Sequence, residues 1–279
     1  MEKIIVDSKY FNVKDTLECG QTFRFKAYKE GFKVYSLDKC CYAYNQDNFA
    51  VIECKSEDKE YFFNYFDLAK DYSSIANSAI NSKYEILRES AKRGKGIRIL
   101  NQDSLEMIFS FMISQNNNIP RIKGIIEKLC NSIGEKKEFL GQEYYSFPSL
   151  EKMKNETLEF YKNLGLGYRA EYLFNLATTI NPEDVLYYKT LNNDSLKRLL
   201  LKIKGIGEKV ANCIILFGFN RSYSFPVDTW IEKVYKENFN GKEKDRRKIT
   251  EWFLREFKDN SGYFQQYLFY YKRSIEKGR

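Results

Sequence analysis

The sequence of 279 residues predicts an α+β fold, an antiparallel sheet followed by a helical body. Two observations carry this. Over roughly the first 55 residues, β-branched and aromatic side chains alternate or cluster in short runs separated by Gly, Asn and Asp, the pattern of short strands joined by turns. From "DKEYFFNYFDLAKDY" onward the apolar period changes to 3.6 and remains there. Strands first and helices afterwards segregate the two kinds of element into separate layers. No internal repeat, low-complexity tract or long linker interrupts the chain, so the parts are expected to pack as one unit.

In chain order, "KIIVDS", "TFRFKAY", "FKVYSL", "CCYAYN" and "FAVIEC" read as the strands. The amphipathic segments that follow are "SLEMIFSFMIS", "IPRIKGIIEKLCNSI", "SLEKMKNETLEFYKNL", "AEYLFNLATTI", "SLKRLLLKI", "KVANCIILFGF", "TWIEKVYKENF", "ITEWFLREF" and "YFQQYLFYYKRSI". The expected division is an N-terminal β domain over residues 1–90 and a helical domain over residues 91–279.

Composition narrows the chemistry. The chain is 43% hydrophobic and 16% aromatic, enough for a real core. It has no run of about 18 apolar residues, and "MEKIIVDSKYFNV" lacks the apolar centre of a signal peptide, so a soluble, cytoplasmic protein is expected. The six cysteines show no Cys-x-x-Cys spacing and there is no histidine, which argues against zinc and iron–sulfur sites and predicts no metal and no cofactor. Without histidine, acid–base work falls to Lys, Asp, Glu, Cys or Tyr. Residues 1–90 hold 13 Lys and Arg against 15 Asp and Glu, whereas residues 91–279 hold 33 against 23. The basic excess of the second part suits a polyanion-binding face, and equally a lysine-rich surface without a partner.

The stretch "LKRLLLKIKGIGEKVANCIILFGF" joins two apolar helical patterns through Gly205-Ile206-Gly207. Asp194 or Ser195 is the expected cap of the first helix, and the hairpin spans about 195–219. Glycines let the backbone approach a ligand closely, and the second helix opens with unpaired N–H groups at its positive end. Phosphate fits there, with Lys202, Lys204 and Lys209 nearby. An ordinary αα-corner would show the same glycines. Lys209 stands where the helix dipole disfavours a cation by about 0.3–1 kcal/mol. That is too little to make an amine nucleophilic, but the apolar neighbours Val210, Ala211, Ile214 and Ile215 would add desolvation, and Cys213 lies one turn on. A snorkelling surface lysine is the plain alternative. Further on, "FPVDTWIEKVY" places Asp228 as the N-cap of the next helix and as a carboxylate that returns toward Lys209.

With these residues in place the sequence resembles the helix-hairpin-helix DNA glycosylase superfamily, and within it the 8-oxoguanine DNA glycosylase/lyases of eukaryotic type. The resemblance rests on "ECGQTFRF", "DSLEMIFSFMISQNNNIPRI", "LGLGYRAEYL", "GIGEKVANC", "FPVDTW" and "SGYFQQYLF", spread over nearly the whole chain. It implies a TATA-box-binding-protein-like sheet followed by two helical domains, and an enzyme that acts on 8-oxoguanine in double-stranded DNA. By resemblance Lys209 is the nucleophile at C1′ of the lesion's deoxyribose, and Asp228 stabilises the developing sugar cation. The carbonyl of Gly20 accepts the N7 hydrogen peculiar to 8-oxoguanine. Cys213 and Phe269 sandwich the flipped base, Pro226 lines its pocket and Gln265 reads its Watson–Crick edge. Asn116, Arg121 and Arg169 match positions that hold the orphaned cytosine, with Tyr168 as the wedge beside them. Gly205, Gly207 and Val210 belong to the phosphate-binding hairpin. A monomer without cofactor or membrane association is implied.

Each of these residues also has a simpler role open to it. Gly20 fits a strand bulge, Phe269 and Tyr168 fit a core, Gln265 fits a solvated helix face, and "QNNN" fits a turn that caps the helix at Pro120. The sequence departs from the family pattern at Thr229-Trp230, where animal members carry a hydrophobic residue and a histidine, and at Phe217, where methionine is usual. Two rivals remain: a glycosylase for another lesion such as an alkylated base, and a non-catalytic helix-hairpin-helix DNA-binding module.

Overall fold

The structure, a computed structural model, describes residues 1–277. Five strands form the N-terminal sheet: β1 (Glu2–Asp7), β2 (Phe25–Tyr28), β3 (Gly31–Ser36), β4 (Lys39–Gln46) and β5 (Phe49–Cys54). Their order is β1-β5-β4-β3-β2, antiparallel throughout, with Ile4 opposite Ile52 where the first strand closes on the last. The hairpin turns place Lys29, Leu37 and Asp47 at positive φ, the twist that tight antiparallel connections require. Alternation decides the two faces. Val34, Cys41, Ala43 and Ile52 pack on α1 (Val13–Glu18) and α2 (Lys59–Tyr65) through Leu17 and Phe62, while Cys40, Tyr42 and Tyr44 make a second, aromatic layer on the other side.

The helical body continues with α3 (Ser73–Ile80), α4 (Glu85–Gly94), α5 (Ser104–Ser114), α6 (Ile119–Ile133), α7 (Leu150–Lys154), α8 (Leu158–Asn163) and α9 (Arg169–Thr179). It ends with α10 (Pro182–Thr190), α11 (Asn193–Leu200), α12 (Glu208–Gly218), α13 (Thr229–Asn238), α14 (Arg246–Phe257) and α15 (Ser261–Lys277). Every residue of α5 except Leu105 is buried, as an apolar helix at the centre of a bundle must be. α12 lies against α5, and α15 against α4. One continuous core runs from Tyr72 and Leu87 through Phe109, Leu173 and Ile214 to Leu268.

Three features differ from the sequence expectation. Residues 13–18 form α1 inside the strand region, because Asn12 caps it by accepting from the Asp15 N–H at 2.9 Å. Residues 136–145 form a small hairpin, β6 (Lys136–Phe139) and β7 (Gln142–Tyr145), inside the helical region. Its turn puts Leu140 as well as Gly141 at positive φ, a position few leucines take, so the turn signal was weak. The cap of α11 is Asn192, whose side chain accepts from the Ser195 N–H at 2.8 Å, rather than Asp194 or Ser195. Both of those residues lie in the helix's first turn.

Candidate active site

The hairpin corner is set by its two glycines in different ways. Gly205 has φ +97°, and a Cβ there would stand 2.6 Å from the Tyr172 ring, so both conformation and packing require glycine. Gly207 is extended (φ −95°, ψ 178°) and faces open space. It is the N-cap of α12 and offers no side-chain acceptor, so the N–H groups of the first turn, including that of Val210, are left to a ligand. The corner rests on Tyr172, which meets Tyr168 edge-on at 5.9 Å between ring centroids.

Beside it lies a cavity lined by Gly20, Phe111, Lys209, Cys213, Phe217, Pro226, Asp228, Gln265, Gln266 and Phe269. Its volume is about 40 Å³, room for a few waters and too small for a purine, so a base enters only by moving a wall. Phe111 and Phe217 stack at 5.4 Å to form one side, and the Lys209 Nζ sits 5.8 Å from the Phe111 ring centre. Burial pushes the Cys213 thiol above its ordinary pKa, opposed by the neighbouring Lys209 ammonium, which is within hydrogen-bonding reach, and reinforced by Asp228. Lys209, Cys213 and Asp228 therefore share one corner. Asp228 caps α13 with Oδ1, which accepts from the Ile231 N–H at 2.9 Å, and this leaves Oδ2 for the cavity. Gln265 is buried, donates to the Pro226 carbonyl at 3.2 Å and accepts from Gln266 at 2.7 Å, which fixes its amide.

Gly20 is not a strand bulge; it stands in the turn between α1 and β2 with φ +90°. The turn is held by Gln21, whose amide donates to the Thr16 and Arg98 carbonyls at 2.9 and 2.7 Å and accepts from the Leu100 N–H. Gln102 closes on the Gln21 carbonyl at 2.9 Å. So many fixed partners leave the Gly20 peptide little freedom.

On the outer side of Lys209 opens a cleft of about 590 Å³ that includes Gln115, Asn116, Gly207, Lys209, Val210, Asp228 and Trp230 among its walls. Asn116 is at φ +46° in the loop before α6, and Asn118, the last residue of "QNNN", caps that helix. Arg169 is buried, and its guanidinium donates to the carbonyls of Gln115, Leu166 and Asn116 at 2.6, 3.2 and 2.7 Å. Three of its five N–H groups thus pin the loops, and two remain. Arg121 reaches the Gly165 carbonyl at 3.0 Å from an exposed position, and Tyr168 is 52% exposed, which removes it from the core.

The structure therefore gathers Gly20, Lys209, Cys213, Pro226, Asp228, Gln265 and Phe269 at one cavity, and Asn116, Gly207 and Val210 at the adjoining cleft. Gly205 sits behind the hairpin corner, Arg121 lies in the first turn of α6, and Tyr168 and Arg169 open α9, where Arg169 is tied to the Gln115–Asn116 loop of the cleft. Phe111, Gln266 and Gln21 went unnoticed in the sequence. A Gln-Gln pair one turn before Phe269 was the only hint of the second amide. Among the described residues no group of His, Cys, Asp or Glu is placed to hold a metal ion. No described helix is long and apolar enough to cross a membrane.

Known proteins resemble this chain in sequence and in fold. Residues 3–108 match the N-terminal domain of 8-oxoguanine DNA glycosylase, and residues 109–259 match the HhH-GPD superfamily of base excision DNA repair proteins. The crystal structure of Clostridium acetobutylicum 8-oxoguanine glycosylase/lyase in complex with double-stranded DNA containing cytosine opposite 8-oxoguanine superposes with a TM-score of 0.91, at 33% identity and over 98% of both chains. The N-glycosylase/DNA lyase of Saccharomyces cerevisiae is 26% identical over 85% of this chain and 70% of the yeast protein. The corresponding Arabidopsis thaliana protein is 29% identical over 78% of this chain and 64% of its own length.

A hairpin that presents a lysine to both a small cavity and a wide cleft, with a carboxylate at the same corner, on a chain similar to N-glycosylase/DNA lyases, defines a bifunctional DNA N-glycosylase and lyase of the helix-hairpin-helix class. The chain belongs to the HhH-GPD superfamily of base excision DNA repair proteins, in its 8-oxoguanine DNA glycosylase branch.

Proposed function

We propose that this protein removes 8-oxoguanine from duplex DNA, preferentially opposite cytosine, and then cleaves the abasic strand, working as a cytoplasmic monomer. One observation carries the reading: Lys209 and Asp228 each line both the cavity and the cleft. A nucleotide flipped from a duplex in the cleft would place its base in the cavity and its sugar between the two, beside the amine and the carboxylate. Every residue invoked lies in one chain, which is why a monomer suffices.

DNA would anchor by phosphates at the Gly205–Gly207 corner and the first-turn N–H groups of α12, with no side-chain charge required. The base would displace Phe269 outward and lie between it and Cys213, with Pro226 at its edge. The Gly20 carbonyl would accept from N7–H, which guanine lacks, and Gln265 would meet the Watson–Crick edge. The Lys209 nitrogen, in its neutral form, attacks C1′ as the C1′–N9 bond breaks and its electron pair leaves with the base. Asp228 Oδ2 offsets the positive charge on the sugar meanwhile. Ring opening converts the new C–N bond to a Schiff base, loss of a C2′ proton follows, and the 3′ phosphate departs. Asn116, Arg121 and the two unspent N–H groups of Arg169 would surround the orphaned cytosine, with Tyr168 filling the stack.

Borohydride trapping tests the reading. Incubation with an 8-oxoguanine duplex should yield a covalent protein–DNA adduct, and Lys209→Gln should abolish it while binding persists. An undiminished adduct in that variant would remove Lys209 from the role. No adduct and no base release by the wild-type protein would favour a non-catalytic DNA-binding module.

A further inference from the structure

One turn past Phe269 on α15, Arg273 reaches back across 255 residues of sequence to the end of α1, where its Nη2 donates to the Glu18 carbonyl at 2.5 Å. Its guanidinium centre lies 5.5 Å from the Phe269 ring. Its Nη1 is buried and has no hydrogen-bond partner, the one cationic nitrogen among the described buried side-chain atoms in that state. A Cβ built on Gly20 would stand 3.3 Å from Nη1 and 3.2 Å from the Phe269 ring. Two other buried guanidiniums are held by acceptors within the chain: Arg24 by the Leu37 and Tyr145 carbonyls and Glu106, Arg98 by the carbonyls of Phe66, Asp67 and Lys70. A buried charged donor without an acceptor is costly, so its persistence beside Gly20 calls for an acceptor that arrives with a ligand.

We propose that Arg273 donates through Nη1 to O8 of the flipped 8-oxoguanine and takes up the negative charge of the departing base. This rests on the reading of the cavity as an 8-oxoguanine pocket. The lesion's edge presents a donor, N7–H, next to an acceptor, O8. The protein would present an acceptor, the Gly20 carbonyl, and a donor, Arg273 Nη1, which lies against the same glycine. Guanine offers a lone pair at N7 and a C–H at C8, so both protein groups would face the wrong partner, and the discrimination is doubled rather than carried by N7–H alone. When C1′–N9 breaks and the new bond from Lys209 to C1′ forms, the released pair on N9 delocalises through C8 onto O8. A guanidinium held there in advance stabilises that charge as it develops.

Single-turnover assays separate this role from a structural one. Arg273→Met should slow release of 8-oxoguanine opposite cytosine by about tenfold to a hundredfold, the effect of losing one charge-assisted donor. Strand cleavage at a preformed abasic site, which has no base to hold, should change much less, by about threefold at most. Arg273→Lys keeps a cation without the fork and should recover part of the loss. Equal losses in the two steps would mean that Arg273 only ties α15 to α1. Unchanged base release in Arg273→Met would equally overturn the proposal. If the wild-type protein cleaves abasic DNA but releases no 8-oxoguanine, the lesion assignment fails and the role of Arg273 fails with it.

Discussion

In the proposed mechanism Asp228 has two jobs for one carboxylate, and Asp228→Asn separates them. Oδ1 holds the Ile231 N–H at 2.9 Å as the cap of α13. Asparagine caps a helix about as well as aspartate. What the substitution removes is the favourable interaction of a negative charge with the helix dipole, about 0.3–1 kcal/mol. In a chain of this size that lowers Tm by roughly 1–4 °C. Asp228→Ala also loses the cap, about 1 kcal/mol more, and should melt several degrees lower than Asp228→Asn. Activity should not follow that order. In Asp228→Asn the capping oxygen stays on Ile231, so the group turned to the sugar becomes an amide NH2, a donor with partial positive charge facing a developing cation. Loss of one preorganised electrostatic partner costs about a hundredfold to a thousandfold in rate. Single-turnover release of 8-oxoguanine should therefore fall to a similar low level in both variants, while only Asp228→Ala loses marked stability. If Asp228→Asn retains more than about a third of the wild-type rate, or if both rates scale with Tm, the carboxylate is a cap and nothing more.

Three further outcomes are expected. Gly205→Ala would force a Cβ to within 2.6 Å of the Tyr172 ring at φ +97°, a strain of about 1–3 kcal/mol before any clash, so thermal midpoint and duplex affinity should both drop; unchanged values in both would show that the corner tolerates side chains. Duplex binding should weaken steeply with salt, since each neutralised phosphate contributes about −0.9 to the log–log slope, and a slope near zero would dispose of the phosphate-binding hairpin. Excision should be roughly tenfold to a hundredfold faster opposite cytosine than opposite adenine, because adenine leaves an arginine donor unpaired in the gap. Arg121→Ala is the cleaner probe of that preference, as Arg169→Ala would also release the loops at Gln115, Asn116 and Leu166; a wild-type rate indifferent to the opposite base would end the idea.

The sequence by itself determined what depends on neighbours in the chain. The periods of 2 and 3.6, the glycine corner, and the cap at Asp228 are local, because backbone sterics and first-turn hydrogen bonds act over a few residues. For that reason the sheet, the hairpin and the helix cap at Asp228 were legible in the sequence, whereas the roles given to Lys209 and Asp228 in catalysis rested on the family resemblance. What only the tertiary structure decided is which donors meet which acceptors across distance. Gln265 could have been a solvated residue; packing buries it and Gln266 locks its amide. Arg169 could have offered all its donors to DNA; the loops that fold around it take three. The turn that carries Gly20 and the helix that carries Phe269 and Arg273 lie at opposite ends of the chain and meet only because α15 packs back beside α1, where Tyr270 also bonds Asp15 at 2.5 Å. A polar group left by folding takes whichever partner the packed surface presents, and that partner has no fixed spacing in sequence. Where the surface presents none, as at Arg273 Nη1, only the folded chain reveals the vacancy.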